Sequence, residues 1–213
     1  PIGNNHGGME CINGQWYIFY HRHTQGTSYS RQGCAEKIDI LPDGSIAQVE
    51  ITSCGLNGGP LMVEGIYPAD ICCNLTDGKP KKKSAPTCVD EEQNMDKTVC
   101  FVSNIKNGSV VGYKYFTFCG MTRLTIRWRV SLKACTKLQT LTPHMCKASG
   151  RLIISAKAGG VPIAEILLKG VAGDWEKASC VLNLTGVNAL YFRYRGKGAV
   201  DIKDFAFSAK NKI

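Results

Sequence analysis

The stretch Gly3-Asn4-Asn5-His6-Gly7-Gly8, continued by Met9 to Arg22 as MECINGQWYIFYHR, decides how the chain folds. Asn13-Gly14 is a two-residue hairpin signal, because both residues tolerate the positive φ that a type I′ turn needs twice. Met9 to Ile12 and Gln15 to Arg22 form its arms, the second rich in Trp, Tyr, Ile and Phe and therefore strand-like. His6 sits just before the first arm, flanked by glycines that leave room around a side chain. Two readings follow: a turn histidine bonded to nearby backbone, or an imidazole at a strand mouth that a ligand or metal can reach.

Outward from the hairpin, Cys34 to Ile40 and Ser45 to Ile51 read as strands joined by Leu41-Pro42-Asp43-Gly44. Four strands in about fifty residues amount to one propeller blade, which buries its faces only against neighbours. Thr52 to Pro60 (TSCGLNGGP) reads as a linker, and a second body begins near Ile66. Its strand candidates are Asp70–Leu75, Cys100–Ile105, Val110–Phe118, Arg123–Leu132, Arg151–Ala158, Ile163–Leu168, Lys177–Leu184, Ala189–Arg195 and Val200–Ser208. Turn signals such as Lys106-Asn107-Gly108 and Ala172-Gly173-Asp174 separate them, and no helical stripe appears, so an antiparallel sandwich is expected. Residues 76–98 and 133–149 are expected to be surface loops. The fold class is all-β: a single four-stranded blade over 1–62 and a jelly-roll-like sandwich over 63–213.

At 213 residues, 44% hydrophobic and 20% charged, the chain has the composition of a globular protein. No apolar run reaches the ~20 residues that span a bilayer. The chain opens inside a motif, which suggests a truncated N-terminus. Net charge is +9, split as −2 over residues 1–62 and +11 over 63–213. That basic half raises nucleic acid, acidic glycans and membrane surfaces as partners. Its densest run, Lys79-Pro80-Lys81-Lys82-Lys83, lies among turn residues and reads as a solvated loop without any nucleic-acid-binding signature. Neither a nucleic-acid nor a membrane partner is expected.

The 11 cysteines form no C-x-x-C pair. Several fall inside strand patterns and read as small buried hydrophobes, which favours a reducing, cytoplasmic setting. Sequons at Asn74, Asn107 and Asn183 point the other way, toward secretion, only where the host glycosylates them. Cys135, His144 and Cys146 make an incomplete metal set.

The first body resembles the last blade of a family-43 glycoside hydrolase. The residues that carry the resemblance are GNNHGG, the hairpin ending IFYHRHT, Ser30-Arg31-Gln32-Gly33-Cys34, and Pro42-Asp43-Gly44. Such enzymes are five-bladed β-propellers acting on arabinose- and xylose-containing polysaccharides. The second body resembles a family-6 carbohydrate-binding module. Here the carriers are Asn107-Gly108-Ser109 with Gly112 to Phe116, Gly173-Asp174-Trp175, Leu190-Tyr191-Phe192 with Arg195 to Gly198, and Asp204 to Phe207.

The resemblance implies the C-terminal part of an arabinofuranosidase or xylosidase acting on plant cell-wall polysaccharide. It implies that His6 touches the sugar or helps hold a central calcium through water. Arg31 would reach the sugar pocket, Tyr113 and Trp175 would contact sugar in the sandwich, and Asp204 would hold structural calcium. Glycoside hydrolysis uses two carboxyl groups, and the family places them on earlier blades. Glu10, Glu36, Asp39, Asp43 and Glu50 lack that context and are expected to be surface residues, so this chain alone should not hydrolyse glycosides. In the sandwich, Ala178 and Ile202 stand where the family has a stacking tryptophan and an asparagine. A non-catalytic binding module, or a sandwich that only braces the propeller, is the alternative reading.

Overall fold

A computed structural model describes residues 6–27, 29–78, 86–94, 97–134 and 146–209. Among them there is no α-helix, only strands and single 3-10 turns. The first sheet is three-stranded and antiparallel, in the order β1 (Gly8–Ile12), β2 (Gln15–His23), β3 (Arg31–Ile38). Its hairpin turns at Asn13 (φ 50°) and Gly14 (φ 80°), the two positive φ values that the Asn-Gly pair was expected to supply. Ser45 to Ile51, read from sequence as a fourth strand, makes only the single bridge Ile40–Ile46. The physical reason lies further along. Thr52 is held by side-chain chemistry, its N–H and hydroxyl both donating to the Glu36 carboxylate at 2.8 and 2.6 Å, and no ladder forms.

The second body is one continuous antiparallel system. Its strands are β4 (Leu61–Met62), β5 (Gly65–Pro68), β6 (Asn74–Thr76), β7 (Cys88–Asn94), β8 (Lys97–Lys106), β9 (Val110–Val130), β10 (Lys147–Ser155), β11 (Pro162–Val171), β12 (Glu176–Lys197) and β13 (Ala199–Ala209). The main path runs β11-β10-β12-β9-β13-β8-β7. Strand β4 pairs parallel with β9, so Leu61 and Met62 belong to this sheet. β7 occupies part of the stretch expected to be a loop. Its charged side chains find partners, with Asp90 engaged by Lys133 and Glu92 by Arg129 at 2.8 Å.

β9 and β12 are each longer than the two strands expected from sequence, because pairing continues through Gly120 and Gly186. The core lies between the layers they connect. Tyr113, Phe116, Phe118, Phe192, Phe205 and Phe207 meet mostly edge to face, with ring centroids from 4.7 to 6.5 Å apart. Leu124, Ile126, Leu152, Ile154 and Leu168 pack beside them, fully buried.

The presumed linker is a docked strap. Ser53 N–H donates to the Lys114 carbonyl, and Lys114 N–H donates to Ser53 Oγ at 3.2 Å. Tyr17 OH reaches the Leu56 carbonyl from the blade side at 3.3 Å. Cys72 and Cys88 are buried as small hydrophobes, whereas Cys146 is disulfide-bonded. Cys135 and His144 lie outside the described residues. No helix among those described is long and apolar enough to cross a membrane.

Candidate functional site

Alternate residues of a strand share a face, and directly opposed residues of an antiparallel pair share it too. The register Gly8–Phe19 carries the incoming chain back so that His6 stands over His21. Their ring centroids are 6.0 Å apart, and those of His21 and His23 are 6.2 Å apart. Across the sheet, His21 opposes Gly33 and His23 opposes Arg31. Three imidazoles and one guanidinium therefore line one face of the blade. His6 and Arg31 are exposed. A Cβ added to Gly33 would meet nothing within 4 Å, so the space over His21 is open. His23 Nε2 is buried without a hydrogen-bond partner among the described residues. Such a face can donate to and accept from sugar hydroxyls or hold a carboxylate. Among the described residues this face carries a single carboxyl group, Glu10, and not the pair that acid–base work on a glycoside needs.

Four of the blade's five carboxylates are committed to structure, while Glu10 is exposed and accepts from the adjacent Cys11 N–H at 3.2 Å. Glu36 is buried, contrary to the surface role expected of it, and accepts from Tyr20 OH at 3.0 Å as well as from Thr52. Burial and this carboxylate push the Tyr20 phenol above its ordinary range. Asp39 pairs with Lys37 at 3.3 Å, and Asp43 accepts from Ser45 in the turn. Glu50 accepts from Lys114 Nζ at 2.8 Å and from Tyr115 OH, and the Lys114 contact holds its carboxyl below the usual range.

The sandwich residues fare differently. Tyr113 is fully buried in the aromatic core, its hydroxyl donating to the Ala69 carbonyl at 3.1 Å. This geometry gives a sugar no ring face to stack on, which corrects its assignment as a sugar contact. Trp175 is half-buried. Its Nε1 donates to Glu92 Oε1 at 3.2 Å, and the Arg129 guanidinium lies 4.1 Å from its ring centroid. Phe101 meets its edge at 5.5 Å. The ring is therefore engaged by a cation on the protein itself. Ile202 is fully buried, and Ala178 packs against the core. Both departures are apolar fillers.

Asp204 does not fit the calcium role implied for it. Both its carboxylate oxygens are taken by the Arg127 fork, Oδ1 at 2.6 Å from Nε and Oδ2 by Nη2. Calcium takes six to eight oxygen ligands, and no group of three or more candidate ligands occurs among the described residues.

The sequence reading missed the other face of the same hairpin. Arg22 and Gln32 oppose each other and face the sandwich. Arg22 donates to the carbonyls of Asp70 and Cys72 and, from Nε at 2.9 Å, to Gln32 Oε1. Gln32 Nε2 donates to Asp70 Oδ2 at 2.9 Å. A cavity of about 240 Å³ opens beside them, lined by Tyr20, Cys34, Thr52 and Cys73 among others. Burial pushes the Cys72 thiol up to about 11, so it is protonated and inert at neutral pH. The available signal was the alternation in YHRH, which places Arg22 opposite in facing to His21 and His23.

No family model matches the chain. It is 37% identical over 214 residues to a xylosidase/arabinosidase of Thermoclostridium stercorarium, a match covering 95% of this chain and 42% of that protein. The chain thus spans less than half the length of this curated relative. In fold it is similar to a family-43 arabinoxylan arabinofuranohydrolase from Bacillus subtilis solved with cellotetraose. That likeness has a TM-score of 0.59 at 18% identity and covers 98% of this chain and 41% of that one. Two family-6 carbohydrate-binding modules resemble the sandwich. One, from the Cellvibrio mixtus lichenase 5A, was solved with cellotriose (TM-score 0.51, 13% identity, 70% of this chain and 100% of that one). The other, from Bacillus halodurans, binds β-1,3-glucan (TM-score 0.50, 13% identity, 70% and 99%).

Proposed function

We propose that this chain, which matches a family-43 glycoside hydrolase segment joined to a family-6-like carbohydrate-binding module, works as the C-terminal part of an enzyme that cleaves arabinose- and xylose-containing plant polysaccharide. The observation that carries the reading is the open face bearing His6, His21, His23 and Arg31, in a chain 37% identical to a xylosidase/arabinosidase. In this reading the blade completes a sugar pocket. His6 and Arg31 hydrogen-bond the bound sugar, and Arg31 keeps a neighbouring catalytic carboxylate ionised. The acid and the base or nucleophile come from outside these 213 residues, since the reaction needs two carboxyl groups and only Glu10 of the blade's carboxylates is not engaged by another side chain. A calcium beside His6 would take its oxygen ligands from the same outside source, with the imidazole acting through water.

A second role for the sandwich is favoured by the seam. With Tyr113 in the core and Trp175 under Arg129, the contacts that remain are those of Arg22, Gln32, Ser53 and Glu50, which brace the blade.

The test is a chimera in which this chain replaces the corresponding segment of the T. stercorarium protein. A folded chimera should release arabinose or xylose from aryl glycosides, and Arg31→Ala within it should lower kcat/KM by about 100-fold, as for one lost charged contact to the reacting sugar. A folded but inactive chimera, or one indifferent to Arg31→Ala, counts against the reading.

A further inference from the structure

The basic half of the chain concentrates its charge on one sheet face. In β10, β11 and β12 the inward residues Leu152, Ile154, Ile166, Leu168, Phe192 and Tyr194 are buried. Their neighbours in sequence therefore point out. The register sets these outward residues in rows: Leu167–Arg151–Arg195, Lys169–Ser149–Lys197 and Glu165–Ile153–Arg193. With Lys147 at the end of β10, the face carries six cations and one carboxylate. That carboxylate, Glu165, is paired with Arg151 at 3.0 Å. Lys147, Lys169, Arg193, Arg195 and Lys197 have no anionic partner among the described residues.

Such an arrangement is unfavourable for folding, because like charges on opposed and diagonal positions repel. Strand neighbours lie about 4.8 Å apart and same-face residues roughly 7 Å apart along a strand, so Arg195 has Arg151, Arg193 and Lys197 all within a Debye length. The repulsion is relieved by an anion that spans the rows. Exposed aliphatic surface interleaves the charges, with Leu167 69% and Ile163 37% exposed. This suits a ligand with alternating C–H faces and charges.

We propose that the outward face of β11, β10 and β12 binds a carboxylate-bearing polysaccharide, a xylan or related chain carrying uronic acids. The proposal rests on the functional reading above and narrows the polysaccharide to an acidic one. Single-stranded nucleic acid is the less fitting polyanion, because it is held by stacking on exposed rings. The one ring on these three strands that points this way, Tyr191, is buried against Gly112. The guanidiniums of Arg195 and Arg193 offer the fork that matches a carboxylate in two hydrogen bonds, and the lysines supply longer-range attraction.

Calorimetric titration of the full 213-residue chain tests this with glucuronoxylan, the same polymer with its carboxyls reduced to alcohols, and single-stranded DNA. The expected result is affinity for glucuronoxylan at least about fivefold above that for the reduced polymer, falling as salt rises from about 0.05 to about 0.5 M. The double variant Arg195→Gln/Lys197→Gln should lose roughly tenfold, and Lys177→Gln, on β12 but remote from the face, should lose nothing. Equal affinity for the reduced polymer overturns the proposal, as does an unaltered double variant, absence of binding, or DNA bound as tightly through the same residues. None of these outcomes touches the chimera's activity, so the two readings fail separately.

Discussion

Replacing Arg22 by alanine should loosen the blade while leaving the sandwich intact. The side chain supplies donors to three acceptors: the carbonyls of Asp70 and Cys72 on the sandwich side, and Gln32 Oε1 on the adjacent strand. Charged hydrogen bonds of this kind contribute about 1.5–3 kcal/mol each, and an acceptor left unpaired and buried costs about 1–3 kcal/mol. The seam cavity lets water reach part of the site, so the lower ends apply. Two lost charged hydrogen bonds then give about 3 kcal/mol, or roughly a 150-fold change in the opening equilibrium.

Amide hydrogen exchange locates the effect. Amides in β1, β2 and β3 should exchange about 100-fold faster in Arg22→Ala, whereas those in β9 and β12 should keep their protection. Arg22→Lys should recover less than half of the loss, since one ammonium cannot reproduce the planar fork. Arg31→Ala, an exposed change on the opposite face of the same sheet, should alter exchange by less than threefold. Uniform protection in Arg22→Ala, or full rescue by lysine, would show that the blade is held by something other than this anchor.

Three further outcomes follow from the same geometry. Phe205→Ala removes a fully buried ring whose centroid lies 4.7 Å from that of Tyr113; urea unfolding should show a loss of about 3–5 kcal/mol. Gly198→Ala should cost about 2 kcal/mol or more by the same assay, because φ is 73° there and a Cβ would press on the Lys147 carbonyl and Ala148 Cα. Glu50 is held below the usual carboxylate range by Lys114, so its support of the seam is complete above an unfolded pKa of about 4.3 and is lost as pH falls through the depressed folded value. Labelling of the seam thiols Cys34 and Cys73 by an uncharged reagent, taken relative to the same thiols in the urea-unfolded chain at each pH because the thiolate is the reacting species, should therefore rise at acid pH, and Glu50→Gln should show that relative rise already at neutrality.

How much of this was legible depended on the range of the signal. The Asn13-Gly14 hairpin is local, and the dihedrals match it. β8, β11 and β13 were read because each is a bounded apolar-rich run. β9 and β12 were each split in two, because Gly120 and Gly186 look like turns; here they take φ of 115° and 71° inside continuous pairing. β7 was hidden by its polarity, since Asp90 and Glu92 are paid off only by Lys133, Arg129 and Trp175, up to 83 residues away in sequence. His6 and Arg31 were assigned to one pocket through the family resemblance, and the structure sets them on one face of the blade by way of His21 and His23. Tyr113 and Tyr115 are two residues apart and would share a face in an unbroken strand, but the register shift opposite them, between Asn188 and Leu190, breaks the alternation, and no local signal announces it. The fold turns Tyr113 inward and Tyr115 outward, to Glu50.

The same parity rule assigns the blade's two arginines opposite work. Arg31 opposes His23 on the open face, while Arg22 opposes Gln32 on the face glued to the sandwich. A three-stranded sheet holds its own geometry only where it buries a hydrophobic face, and in this one only Tyr17, Glu36 and Ile38 are buried. Its open face can be accurately placed only if its other face is fixed, and the fixing groups are carbonyls of the second body. The placement of His6 and Arg31 is thus coupled to the sandwich through Arg22, helped by Gln32 and the strap. That coupling accounts for why the two bodies occur as one docked unit, with a strap hydrogen-bonded on both sides in place of a free linker.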